Sequence, residues 1–314
     1  MNFKSLPHLL DYFRDEKTAI EYYEQIRWNG KPRCPHCQSE KPYKTNRGYK
    51  CSNKDCRKKF TVLVGTIFQN TKKPLRIWFG AIYILTTSKK SVTSPYLAEL
   101  LGITQKTAWF MMHRIREMLK EQQPEFLDCS GPIEVDEAWI DGKEKNKHFG
   151  RKRDPNNGNF RNDGTPYKPK KMLMGIMERS GQIVLRYMPS GKKKHLLEFI
   201  NQKVPAGATI YTDENKSYMD LNKRYNHATI LHRLSKYVDG QVHTNSIENF
   251  WSLFKRSIYG VHHQISEKHL HRYLNAFAAV FNARAMSASE RMHKFLESSE
   301  APLSYDELTN MRYD

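Results

Sequence analysis

Four of the chain's five cysteines share one short stretch, spelling Cys34-x2-Cys37-x13-Cys51-x4-Cys56. That spacing constrains the fold before anything else does. Two thiolate pairs at the tips of successive hairpins can close a tetrahedron, and zinc accepts it because its filled d shell imposes no geometry of its own. A disulfide framework is the poorer reading: the N-terminus carries Asp11, Asp15 and Glu16 where a secretory segment would be apolar, so the chain is expected in the reducing cytosol. His36, inside the first pair, is an alternative ligand; Cys129 stands apart and reads as a small buried hydrophobe. With few apolar residues around the cysteines, this small unit should owe its fold to Zn2+.

The residues between the cysteines point to a partner. Lys31, Arg33, Lys41, Lys44, Arg47, Lys50, Lys54, Arg57, Lys58 and Lys59 crowd the cluster, with Tyr43 and Tyr49 among them. The whole chain follows suit, with 52 Lys and Arg against 33 Asp and Glu and a net charge of +19. A polyanion is the natural counterpart, and a phosphate backbone fits the surface. A merely solvated basic face is the competing explanation, and charge alone does not separate DNA from RNA. The longest apolar run, residues 77–85, falls short of the roughly 20 residues that span a bilayer, so no membrane partner is expected.

Periodicity divides the chain further. Apolar residues over 9–27 recur at helical spacing, residues 30–60 are turn-rich, and 60–68 is β-branched and strand-like. Lys73-Pro74 opens a helix; Ser94-Pro95 starts another, with Ser94 as N-cap; Gly102 supplies a turn, and Thr104 caps a third. In the third helix Ala108, Met111, Met112, Ile115 and Leu119 face inward, leaving Gln105, Lys106, Thr107, His113 and Arg114 outward. Helix, glycine turn, helix is the grammar of a DNA-reading helix-turn-helix. After Pro124 strands are expected at 133–140, 172–178, 183–188, 208–212 and 228–232, with helices at 195–204, 246–259 and 267–284, which suggests a mixed α/β sheet flanked by helices. Residues 142–171 form a basic segment without apolar period, carrying Lys143, Lys145, Arg151 and Arg153 among its cations. It is too long for an idle connection.

Three acids stand out within this second half. Asp136 lies in the strand Ile133-Glu134-Val135-Asp136-Glu137, where an unpartnered carboxylate is costly. Asp213 follows the strand Thr209-Ile210-Tyr211-Thr212, at the edge where ligand sites of α/β sheets gather. Glu248 lies early in an amphipathic helix, and seven residues on comes Lys255, with Arg256 beside it, placed to grip a phosphate. Three converging carboxylates can hold two divalent ions for phosphodiester chemistry, Mg2+ being the ion that carboxylates and water favour, with Mn2+ the alternative. Each acid taken alone reads as a surface carboxylate.

Several motifs in order resemble the transposases of the insertion-sequence-1595 (ISXO-like) family. They are Arg27-Trp28-Asn29-Gly30 before the cysteines, Gly65-Thr66-Ile67-Phe68 after them, Lys106-Thr107-Ala108-Trp109, Val135-Asp136-Glu137, Tyr211-Thr212-Asp213-Glu214, and His243-Thr244-Asn245-Ser246-Ile247-Glu248 with Phe250-Trp251-Ser252-Leu253 and Lys255-Arg256. The resemblance implies a zinc ribbon, a helix-turn-helix segment and an RNase H-like, retroviral integrase-like catalytic domain. It implies that Asp136, Asp213 and Glu248 hold the catalytic metals, with Lys255 beside them; Asn245 competes with Glu248 for the third place. The implied activity is cleavage at the terminal inverted repeats of an element and strand transfer into target DNA, by a homodimer or larger assembly on DNA. Where the family usually has an acid and an Arg in the last long helix, this chain has Ala276 and Val280, which keeps open a catalytically silent DNA-binding regulator. The expected domains are 1–72 for the N-terminal helices and ribbon, 73–125 for the helix-turn-helix, 126–300 for catalysis with 142–171 inserted, and 301–314 as a tail.

Overall fold

A computed structural model describes residues 3–141, 147–165, 167, 170–179, 181–230, 243–300 and 302–310. They fall into two compact units: Met1–Gln123 with Ser266–Asp314, and Pro124–Ile265. Among the described residues no helix is long and apolar enough to cross a membrane.

In the first unit, α1 (Leu6–Tyr12) and α2 (Glu16–Trp28) are capped by Ser5 and Asp15, whose side chains accept from the His8 and Thr18 amides. Then β1 (Pro42–Thr45), β2 (Gly48–Cys51) and β3 (Lys59–Phe60) form an antiparallel sheet in that order. Gly48 turns the first hairpin at φ 116°, and a Cβ there would lie 2.6 Å from the Phe60 carbonyl oxygen, so only glycine fits. Trp28 packs edge-on against Tyr49 and Phe60, and the Tyr49 hydroxyl donates to Glu24 at 3.0 Å, fastening the ribbon to α2. The strand expected up to residue 68 stops at Phe60. The Arg27 guanidinium takes the Val62 and Val64 carbonyls at 2.6 and 2.8 Å, and residues 62–70 form turns instead.

α3 (Leu75–Thr87) follows Pro74, with the Leu75 amide held by the Glu16 carboxylate at 2.9 Å. α4 (Ser94–Leu101) is capped by Thr93, one residue before the expected Ser94; Gly102 turns at φ 61°, and Thr104 caps α5 (Gln105–Met118). His113 and Arg114, expected outward, are buried. α8 (Glu267–Asn282) packs along α5 and covers His113. The His113 ring meets Trp109 and His269 at 4.6 and 4.5 Å, while Arg114 donates to the Leu303 and Gln69 carbonyls. Gln105 and Lys106 stay exposed and Thr107 half-buried, so the first turn of α5 is its open part.

α8 and α9 (Ala288–Glu297) were expected to belong with the catalytic strands, within 126–300, yet they complete the first unit. Ala279, Ala283, Met292, Phe295 and Leu296 join its apolar cluster, with Ala276 and Val280 packed against it. α10 (Tyr305–Asn310) ends the described chain.

The second unit is a five-stranded mixed sheet. Its strands are β4 (Ile133–Ile140), β5 (Lys171–Glu178), β6 (Ile183–Met188), β7 (Thr209–Thr212) and β8 (Asn226–Thr229), in the order β6-β5-β4-β7-β8. β5 and β6 run antiparallel to their neighbours, while β7 and β8 run parallel to β4. α6 (Lys193–Lys203) buries Phe199 and Ile200 with Ile133, Val135 and Ile210. On β4 the residues between these, Glu134 and Asp136, point to the other face. There α7 (Asn245–Ser257) packs on β4 and β5 and continues into a π-helical turn, Ile258–His262. Asp136 pairs with Gly175, and a Cβ on Gly175 would come 2.8 Å from the Trp251 ring; the missing side chain lets α7 lie close to the sheet.

Candidate functional site

The cysteine cluster forms as its spacing predicts. All four Sγ atoms lie within 4.8 Å of one another, with Cys37–Cys51 at 3.5 Å and Cys34–Cys56 at 3.8 Å. Thiolates bound to tetrahedral zinc at about 2.3 Å stand about 3.8 Å apart, so the set fits that ion. Each knuckle closes on a left-handed residue just after its second cysteine, Gln38 at φ 59° and Arg57 at φ 45°. The longer second knuckle takes up its extra residues in a turn, with the Asn53 carbonyl accepting from both the Cys56 and Arg57 amides.

The second site lies at the ends of parallel strands. The β4–β7 ladder pairs Ile133 with Ile210 and Glu134 with Tyr211, then stops. Beyond it β4 carries Asp136 and Glu137 while β7 gives way to Asp213, and oxygens of these three acids lie within 4.8 Å of one another. Burial, with Asp213 and Glu248 adding to it, pushes Asp136 up to about 6 against the pull of the Glu137 amide and Lys255. Burial together with the Asp213 and Asp136 carboxylates pushes Glu137 up to about 7. Asn215 donates to Glu137 at 3.2 Å. A cation placed among these acids would relieve that cost.

Glu248 is not within that tight group. It faces Asp136 across an open cleft of about 710 Å³ that Trp251, Lys255, Arg256 and Tyr259 also line. The Thr244 hydroxyl donates to its carboxylate at 2.9 Å, fixing the side chain on the first turn of α7. Asn245 is exposed and, among the described residues, is not one of the side chains that line the cleft. Asp136, Asp213, Glu248, Lys255 and Arg256 are therefore gathered in one neighbourhood. Glu137 joins them, although strand alternation sends it toward the α6 face; its position directly after Asp136, beyond the end of a ladder, was the available signal. Of the basic segment, Arg151 and Arg153 are exposed, and Lys143 and Lys145 lie outside the described residues.

Residues 128–282 match the ISXO2-like transposase domain, and residues 14–59 match the transposase zinc-ribbon domain of the same family. The chain belongs to the insertion-sequence-1595 transposase family. Within that family the four cysteines fall in the ribbon match and the gathered acids in the transposase match. A relative 26% identical over 91% of this chain and 98% of its own length is an uncharacterized protein in transposable element ISH50 of Halobacterium salinarum. A crystal structure of a pre-cleavage Mos1 transpososome covers 75% of this chain and 82% of its own at 13% identity and a TM-score of 0.16, a likeness too slight to bear on the fold.

Proposed function

We propose that this member of the insertion-sequence-1595 family is an active DNA transposase, cutting element ends and joining the freed 3′-hydroxyl to target DNA at the Asp136 site. The observation that carries this reading is the gathering of Asp136, Glu137 and Asp213, with Glu248, Lys255 and Arg256 around the adjoining cleft. A mixed sheet with acids where its parallel strands end supports an RNase H-like assignment for the second unit.

Asp136 and Asp213 hold the catalytic cations, with Glu248 the third carboxylate and Glu137 a further oxygen donor. When bound, two Mg2+ or Mn2+ ions activate the attacking oxygen and stabilise the leaving one. Lys255 and Arg256 orient the scissile phosphate, and Thr244 keeps Glu248 turned to the cleft. The exposed first turn of α5, with Gln105, Lys106 and Thr107, reads element ends after the Gly102 turn. Arg151 and Arg153, with Lys143 and Lys145, add phosphate contacts from the segment inserted in the catalytic domain. Two DNA ends call for at least a homodimer on DNA. In this reading the functional domains are ribbon, helix-turn-helix and catalytic sheet, with α8 and α9 serving the DNA-binding unit. The silent-regulator alternative draws no support from Ala276 and Val280, since both pack in the first unit's apolar cluster.

Asp136→Asn and Asp213→Asn should each abolish Mg2+-dependent cleavage and strand transfer on an oligonucleotide end while leaving end binding nearly intact. Cleavage at the parental rate in either variant would defeat the reading.

A further inference from the structure

We infer that Glu134 is a positioning residue: from inside the sheet it anchors the first turn of α7 and so sets Glu248 against Asp136. The inference rests on reading Glu248 as a metal-holding carboxylate. The Glu134 side chain is fully buried, at 0% exposure, on the same face of β4 as Asp136 two residues away. One of its oxygens accepts from Ser246 Oγ at 3.0 Å and from Arg179 Nε at 3.0 Å, and the other from the Ile247 amide at 2.9 Å. Arg179 in turn donates to the His243 carbonyl at 3.0 Å, just ahead of the helix.

A helix leaves its first amides without partners and normally has its N-cap side chain satisfy one. Thr244, the N-cap of α7, makes no such bond; its hydroxyl is turned onto Glu248 instead. Glu134 supplies the missing acceptor from a neighbouring strand, and its charge suits the positive end of the helix dipole. Thr244 is thereby freed to orient Glu248. One strand face thus carries both a metal-holding acid and the bolt for the helix bearing its counterpart. Gly175 and Trp251 set how close α7 comes to the sheet, and Glu134 sets where along β4 its first turn lies.

The test compares Glu134→Gln, Glu248→Gln and the double variant with the parent, all as the full zinc-loaded chain. Three quantities are read: end binding, the Mn2+ concentration for half-maximal cleavage, and hydrogen exchange of the Ile247 to Trp251 amides. Outer-shell partners of metal ligands typically contribute about 10–100-fold to affinity. Glu134→Gln is expected to raise the Mn2+ requirement at least roughly tenfold and to speed exchange at the start of α7, with β5 still protected and end binding unchanged. Because it acts through Glu248, the double variant should need no more Mn2+ than Glu248→Gln alone. Effects that multiply, or a folded Glu134→Gln with parental Mn2+ requirement and parental exchange, would overturn the inference. If Glu248→Gln leaves the Mn2+ requirement unchanged while Glu134→Gln frees the α7 amides, the anchoring stands and the role assigned to Glu248 falls. Ser246→Ala, which removes a single bond to Glu134, serves if Glu134→Gln does not fold; an unchanged Mn2+ requirement and exchange there would count equally against the anchor.

Discussion

Gly175 has no side chain because Trp251 occupies its place. The Cβ of an alanine would meet that ring at 2.8 Å and the Ile247 side chain at 3.1 Å, in a layer where neither neighbour has room to retreat. Gly175→Ala should therefore cost about 1–3 kcal/mol, as overpacked cores do, and lift α7 off β5. Thermal unfolding should register the loss, and cleavage should fall by more than end binding; equal losses would mean that the whole unit had loosened. His113 offers a test of a different kind. Among the described residues neither of its ring nitrogens has a hydrogen-bond partner, and burial, with Arg116 and His269 nearby, holds the imidazole far below its ordinary 6.5. Burial and Arg272 likewise push His269 down to about 4. Both rings are neutral in the folded chain and take up protons when it unfolds below pH 6.5. Stability is thus full above that value and is lost as pH falls toward about 4. Urea midpoints measured across that window should decline, less steeply in His113→Phe; an identical slope would place the acid sensitivity elsewhere.

At the scale of elements, the cysteine knuckles and the α4–α5 pair were readable because local chemistry specifies them: thiolate spacing, a proline in the first turn of α4, the Thr104 cap of α5, and a glycine at a left-handed turn between them; the cap of α4 was off by one residue. The acid at 136 was readable as a charge at a strand position where charge is costly, and the acid at 213 by its place just past the end of a strand. What periodicity could not disclose was which neighbour covers a face. α5 looks amphipathic, yet α8 lies over His113 and carbonyl groups absorb Arg114, so beyond the first turn its polar face is interior too. Glu134 sits beside Asp136 in the same strand and looks equally functional; only the amide of Ile247, 113 residues away, reveals its different task. The ribbon is a separate case, because its three short strands bury little beyond Tyr49, Cys51 and Phe60. Removing its zinc with a chelator under reducing conditions should expose residues 31–59 to protease while α3 to α5 stay protected. Elemental analysis should find about one zinc per chain, as a four-thiolate site requires. A ribbon equally resistant without metal would show that Trp28 and its aromatic neighbours suffice.

For the whole molecule, chain order and spatial order disagree. The first unit draws on segments from both sides of the acid-bearing unit, which is threaded between its two parts. A chain stopped after Ile265 should keep a protease-resistant second unit and lose protection over residues 75–118, because α8 and α9 are missing from the first; resistance across both would show that the last helices are dispensable. Synthesis imposes the same sequence of events. At about 5–20 residues per second, α8 and α9 follow the end of the second unit by about 2–6 s, during which the acids are already assembled and α5 still lacks its cover. A nascent chain would therefore carry the assembled acids of the second unit before the first unit has the helices that complete its core.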